Sequence, residues 1–202
     1  MRASLLPTDL TPQQIEALRQ LANLGSADAA RSLGRLLGTQ VEAVTPRVQL
    51  ASKGSLAKLL HPDNAAFSVR FEVEGGARLR WVMHVSEEGA ALMGGLLLGS
   101  PVTKGAPAHR LYDSALAEMS NIVVSSYVGG VAAAVGLTLV PSIPHVGKVS
   151  LLQTLEDAFG DLESALYLVT DLRLPGVRQA ARIITAPVED SISRLLSMLG
   201  AA

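Results

Sequence analysis

The chain has 202 residues, 49% of them hydrophobic and 17% charged, which suits a packed interior and argues against disorder. Its 17 basic and 18 acidic residues leave a net charge of −1; with no basic cluster and only 3% aromatics, this argues against a nucleic-acid partner. The absence of cysteine excludes disulfides, thiolate zinc sites and cysteine nucleophiles, and the first twenty residues lack the order of a signal peptide, so a cytoplasmic setting is expected.

In chain order, Thr11-Pro12 followed by Gln14 has the form of a helix start with a capping box, and the helix is expected to run to about Leu37 with Gly38 as its stop. Ile15, Leu18, Ala22, Gly25, Ala29 and Leu33 form its apolar side, expected to pack on a sheet. Pro46 follows and is expected to begin or interrupt a strand. Ser55-Leu56-Ala57-Lys58 has the S-x-x-K spacing of serine acyl-enzymes, but neither S-D-N nor K-T-G accompanies it, so it reads as chance. FSVRFEVEG and ARLRWVMHVS alternate around Gly75-Gly76, which predicts a hairpin with one face wet and the other under helices. Glu72 and Glu74 belong to the solvated face. Glu87-Glu88 read as the acidic first turn of a short helix.

SALAEMSNIVVSSYVGGVAAAVGL, Ser114 to Leu137, reads as a second long helix, more apolar than the first. No charged residue occurs from Met119 to Gly147, a length that could cross a bilayer. Glycines 94, 95, 129 and 130 form no phosphate loop and suit close helix packing. His61, His84, His109 and His145 lack zinc-type spacing and read as structural or surface residues, with no metal site expected.

A shift of 98 residues superimposes the two halves. Asn23 falls on Asn121, Gly38 on Gly136, Pro46 on Pro144 and Val48 on Val146. AAFSVRFEVEGGARLRWVMHVS then corresponds to SALYLVTDLRLPGVRQAARIITAP, and EEGAALMGGLLLG to VEDSISRLLSMLG. This is a duplicated unit, with repeats at about 11–100 and 109–201 within a single domain spanning 1–202. Each copy reads as a long helix, a strand, a hairpin and a shorter helix. The expected class is α/β (α+β), a pseudo-two-fold antiparallel sheet with both long helices on one face. Because the first long helix carries Asp28, Arg31 and Arg35, its uncharged counterpart is expected to be no membrane span.

Ser114, Glu118, Asn121 and Ser125 are spaced by four, three and four residues, so they share one stripe of the second helix. The matching stripe of the first is Glu16, Gln20, Asn23. A solvated face would explain either stripe alone, but asparagine is a poor mid-helix residue, and its recurrence at the same point of both copies asks for a reason.

Ser114-x3-Glu118-x2-Asn121 followed by Pro144 resembles the signature of the CheC/CheX/FliY chemotaxis phosphatases. IEALRQLANLGSADAARSLGRLLGTQVEAVTP resembles the first helix and strand of the CheC type, and SALAEMSNIVVSSYVGGVAAAVGLTLVPSIP the second. The resemblance implies a phosphatase for the aspartyl phosphate of a CheY-type response regulator. In it, Asn121 holds the attacking water and Glu118 pairs with the regulator's lysine, with Asn23 and Gln20 as the matching residues of the first copy. It implies no cofactor of the chain's own, with magnesium supplied by the regulator, and a possible second partner in the deamidase CheD. Gln20 departs from the family's glutamate and Glu16 from its aspartate or serine, so the second site is expected to dominate. The rival reading is a non-catalytic adaptor that binds a regulator, CheD or a flagellar switch component. The internal duplication leads us to expect a monomer.

Overall fold

The computed structural model describes residues 10–60, 66–99, 109–162, 164–188 and 190–201. Helix α1 spans Pro12–Leu37; Thr11 accepts from the Gln14 amide while Gln14 bonds back to the Thr11 amide, and Gly38 ends the helix at φ 64°. Its counterpart α4, His109–Val135, ends before Gly136 at the same φ, a left-handed conformation glycine adopts without strain. Strands β1 (Glu42–Ala43) and β2 (Arg47–Ser52) flank Pro46, just as β5 (Leu139–Pro141) and β6 (His145–Val149) flank Pro144. The hairpin β3 (Ala66–Gly75) and β4 (Leu79–Val85) has its counterpart in β7 (Ser164–Leu174) and β8 (Val177–Pro187). Helices α3 (Glu87–Leu98) and α6 (Ser191–Met198) close the two halves.

Neither half owns a complete sheet. The strand order is β1-β7-β8-β4-β3-β5, with β2 also on β7 and β6 also on β3, every pair antiparallel. The strands that follow each long helix therefore leave their own half and pair with the hairpin of the other. Across the middle, β4 pairs with β8 from Leu79↔Pro187 to Val85↔Ala181. One face of the sheet carries α1, α3, α4 and α6 over a core centred on Leu18, Leu33, Trp81, Met83, Leu116 and Val123.

The other face departs from expectation. Two short helices, α2 (Lys53–Leu59) and α5 (Leu151–Phe159), cover it, burying Leu56, Leu151, Leu155 and Phe159 against Val82, Tyr167, Val169 and Ile184. It is therefore wet only in part, where Glu72 and Glu74 are exposed. At seven residues α2 spans less than two turns, too short for its period to stand out. Helix α5 had a readable signal in Ser150, which caps the Gln153 amide, and in Leu151, Leu155 and Phe159 at four-residue steps.

Ile15 is a second correction. It lies in the first turn of α1, ahead of the first buried residue Leu18, and is 39% exposed rather than packed on the sheet. The S-x-x-K residues belong to the start of α2, where Ser52 accepts from the Ser55 amide and Lys58 is exposed. Glu87 and Glu88 sit in the first turn of α3 behind the Ser86 cap. His84 is buried with its Nδ1 against the Ser68 hydroxyl at 2.8 Å, and His145 is exposed on β6. His61 and the side chain of His109 lie outside the described residues. Among the described residues, no helix is long and apolar enough to cross a membrane.

Candidate functional site

The two long helices lie side by side, and small residues let them approach. A Cβ on Gly25 would stand 3.0 Å from the Tyr127 ring and from the Tyr127 carbonyl, and one on Gly130 would press on the Asp28 carboxylate. Ser126 donates to Ser32 at 2.7 Å. The contacts Asp28–Gly130 and Ser32–Ser126 ascend α1 while descending α4, so the helices are antiparallel. Their midpoint lies near residue 30 of α1 and 128 of α4. With about seven residues from there to each asparagine, and a rise near 1.5 Å per residue, Asn23 and Asn121 lie roughly 20 Å apart along the pair. Glycine expectations divide here: Gly94 packs on the Tyr112 ring and Gly130 on α1, whereas Gly129 faces open space.

On α4, Ser114, Glu118 and Ser125 are exposed and Asn121 is partly exposed. The buried side of the same stretch holds Leu116, Met119, Val123 and Val124, which fixes the helix rotation and turns the polar stripe outward. The Asn121 amide donates to the Glu118 carboxylate at 3.3 Å across one turn. No cation pairs with Glu118 among the described residues. Asp113, near the start of α4, is tied to Lys148 of β6 at 2.7 Å, which anchors that end of the helix to the sheet edge.

On α1 the same positions are wired differently. Arg19 grips Glu16 with its Nε at 2.8 Å and an Nη at 2.6 Å, and the Gln20 amide donates to the same carboxylate at 2.9 Å. These donors, Arg19 first, hold the Glu16 carboxyl below the ordinary carboxylate range. Gln20 thus points back one turn, away from Asn23, which is exposed and has no side-chain hydrogen bond among the described residues. In the other copy, position 117 is alanine and position 114 is serine, so neither Arg19 nor Glu16 has a counterpart. An Arg following Glu by three residues is readable from the chain alone, and this pair is what sequence reasoning missed.

Among the described residues, no group of three or more histidine, aspartate or glutamate side chains is placed to hold a metal ion. What the α4 arrangement offers chemically is an amide that can both donate and accept, next to a carboxylate with no cation on it among the described residues.

No family model matches the chain. In sequence it is 23% identical to the CheY-P phosphatase CheC of Bacillus subtilis (strain 168) over 201 residues, 94% of this chain and 95% of that protein. In fold it is similar to Thermotoga maritima FliY, with a TM-score of 0.71 and 17% identity over 95% of this chain and 98% of that one. A chain of the FliG-FliM complex from H. pylori gives a TM-score of 0.68 at 14% identity, covering 93% of this chain and all of that one. A chain of the CheX-CheY-BeF3-Mg+2 complex from Borrelia burgdorferi gives 0.59 at 17%, covering 83% of this chain and 98% of that one. The whole-length likeness to CheC and the shared architecture together support assigning this chain to the CheC/CheX/FliY family.

Proposed function

We propose that the chain is a phosphatase for the aspartyl phosphate of a CheY-type response regulator, acting through Glu118 and Asn121 of α4. The observation that carries this reading is the Glu118–Asn121 pair, one turn apart, with Glu118 exposed, Asn121 partly exposed and no cation on the carboxylate among the described residues. An acyl phosphate is already reactive, and a response regulator brings its own magnesium, lysine and aspartate to the phosphoryl group. The phosphatase need only hold a water in line, an orientation task that a neutral amide performs without a nucleophile or metal of its own. Glu118 meets the regulator's lysine. As it does so the Asn121 N–H is released from the 3.3 Å bond to Glu118 and becomes available to the water. Asn23 and Gln20 form a weak or silent second copy, because the carboxylate there is one turn early and already neutralised by Arg19.

In the same reading the chain works in the cytoplasm as a monomer, carries no cofactor of its own, and has the deamidase CheD as a second partner. The test is phosphate release from a CheY-type regulator charged with acetyl phosphate and magnesium. Acceleration by the chain and its loss in Asn121→Ala are expected; an unaccelerated rate with intact binding refutes catalysis. That last outcome would instead support a second reading, an adaptor that docks a regulator or a flagellar switch component. Two observations favour it: the likeness to a chain of the FliG-FliM complex, and the charge-neutralised α1 site.

A further inference from the structure

On the face of the sheet away from α1 and α4, a slot of about 270 Å³ opens between β3, β6 and α5. At about 30 Å³ per water in the liquid, that is room for roughly nine waters, the size of a small metabolite. It is lined by Ser68, Arg70, His145, Gly147, Thr154 and Asp157, among others. Its origin is local. Ser68 of β3 faces Gly147 of β6 across the strand pair, and a Cβ built on Gly147 would meet only Val149, at 3.7 Å. In the other copy the corresponding strand pair sets Gln49 opposite Tyr167, whose ring stacks edge-on to Phe159 at 5.2 Å. Two large side chains stand there where a glycine and a serine stand here, which is the difference that opens the space at this strand pair.

The wall is polar at depth. Ser68 and Thr154 are each 3% exposed, and their hydroxyls lie 2.9 Å apart, with Ser68 against His84 Nδ1 at 2.8 Å. At the mouth, Arg70 is partly exposed, and its one partner among the described residues is the backbone carbonyl of Asp157. A guanidinium has five N–H donors, so most of this fork is left for a ligand. His145 stands opposite Arg70 on β6. The Asp157 carboxylate accepts from Gln153 at 2.8 Å and adds one acceptor to the wall.

We propose that this slot binds a small hydroxylated oxyanion, a hydroxy acid or a hydroxyalkyl phosphate. Arg70 and His145 take the anionic oxygens, Ser68 and Thr154 line the inner end, and Asp157 accepts from the ligand hydroxyl. The assignment stands apart from the phosphatase reading, since it uses the opposite face of the sheet. The test is an amide NMR titration of the full chain with two probes in separate arms, L-lactate and glycerol 3-phosphate. We expect saturable shifts at Ser68, Gly147 and Thr154 in at least one arm, with Kd below about 1 mM. The responding arm identifies carboxylate or phosphate as the anion. Gly147→Val, which fills the slot without a backbone clash, and Arg70→Gln, which removes the fork, should each weaken binding at least about tenfold. Should Gly147→Val fail to fold, Gly147→Ala replaces it. Absence of saturation in both arms, or binding untouched by filling the slot, overturns the site; binding untouched by Arg70→Gln overturns the anion assignment.

Discussion

Helices α1 and α4 offer the same experiment run twice. Both present a polar stripe centred on an asparagine, both turn it away from the same core, and they pack against each other about a pseudo-two-fold axis. Yet on α4 the carboxylate lies one turn from the asparagine amide and bonds it, while on α1 the carboxylate lies two turns away, held by Arg19 and Gln20. A duplicated scaffold therefore reproduces the position of a group without reproducing its availability. Small local differences, Arg19 for Ala117 and Gln20 for Glu118, decide which stripe sets its carboxylate beside its asparagine.

The largest effect expected to sharpen this contrast is Asn121→Ala. On the proposed phosphatase reading, this change should lower regulator dephosphorylation about 100-fold, against less than about twofold for Asn23→Ala, in a stopped-flow or phosphate-release assay. Equal losses would break the ranking. Glu118→Gln should act mainly on docking. A rise in KM of about tenfold, smaller at high salt, is expected because an exposed charge pair is screened. A salt-independent loss of kcat would contradict that role.

In an Asn121→Ala background, the double change Arg19→Ala with Gln20→Glu should restore activity severalfold through Asn23. Gln20→Glu alone should restore less, because Arg19 stays in place to neutralise carboxylate charge on that stripe. No gain from the double variant would show that the α1 stripe lacks more than a carboxylate. Gly25→Ala tests the shared scaffold instead. With its Cβ 3.0 Å from the Tyr127 ring and carbonyl, overpacking of about 1–3 kcal/mol is expected, lowering Tm by roughly 5 °C. The smallest effect is on the titration of Glu16. Its folded-state pKa is depressed, so its contribution to stability is present above the unfolded carboxylate value and fades as pH falls through the folded one. Arg19→Ala should move that carboxyl back up towards the ordinary range in an NMR titration, with little change in stability because the group is exposed.

Much of this molecule is local and therefore legible. The capping box at Thr11, the glycine stops at 38 and 136, the hairpin turn at Gly75 and the acidic first turn of α3 are each encoded within a few residues. The Arg19–Glu16 pair is equally local, but it has no counterpart at Ala117 and Ser114, so the duplication that marks the shared positions does not mark it. Helix α2 escaped for a physical reason, since seven residues give too little period to read.

From the chain alone came two long helices with their caps and an outward polar stripe on each. Such features depend on side chains within one or two turns of each other. Tertiary structure alone decided that β2 and β6 cross to the opposite hairpin, that the helices run antiparallel so the stripes point to separate ends, and that Gly147 opens a slot over Ser68. Those outcomes join residues far apart in the chain, and are settled by how two apolar helix faces and one shared sheet can all be buried at once.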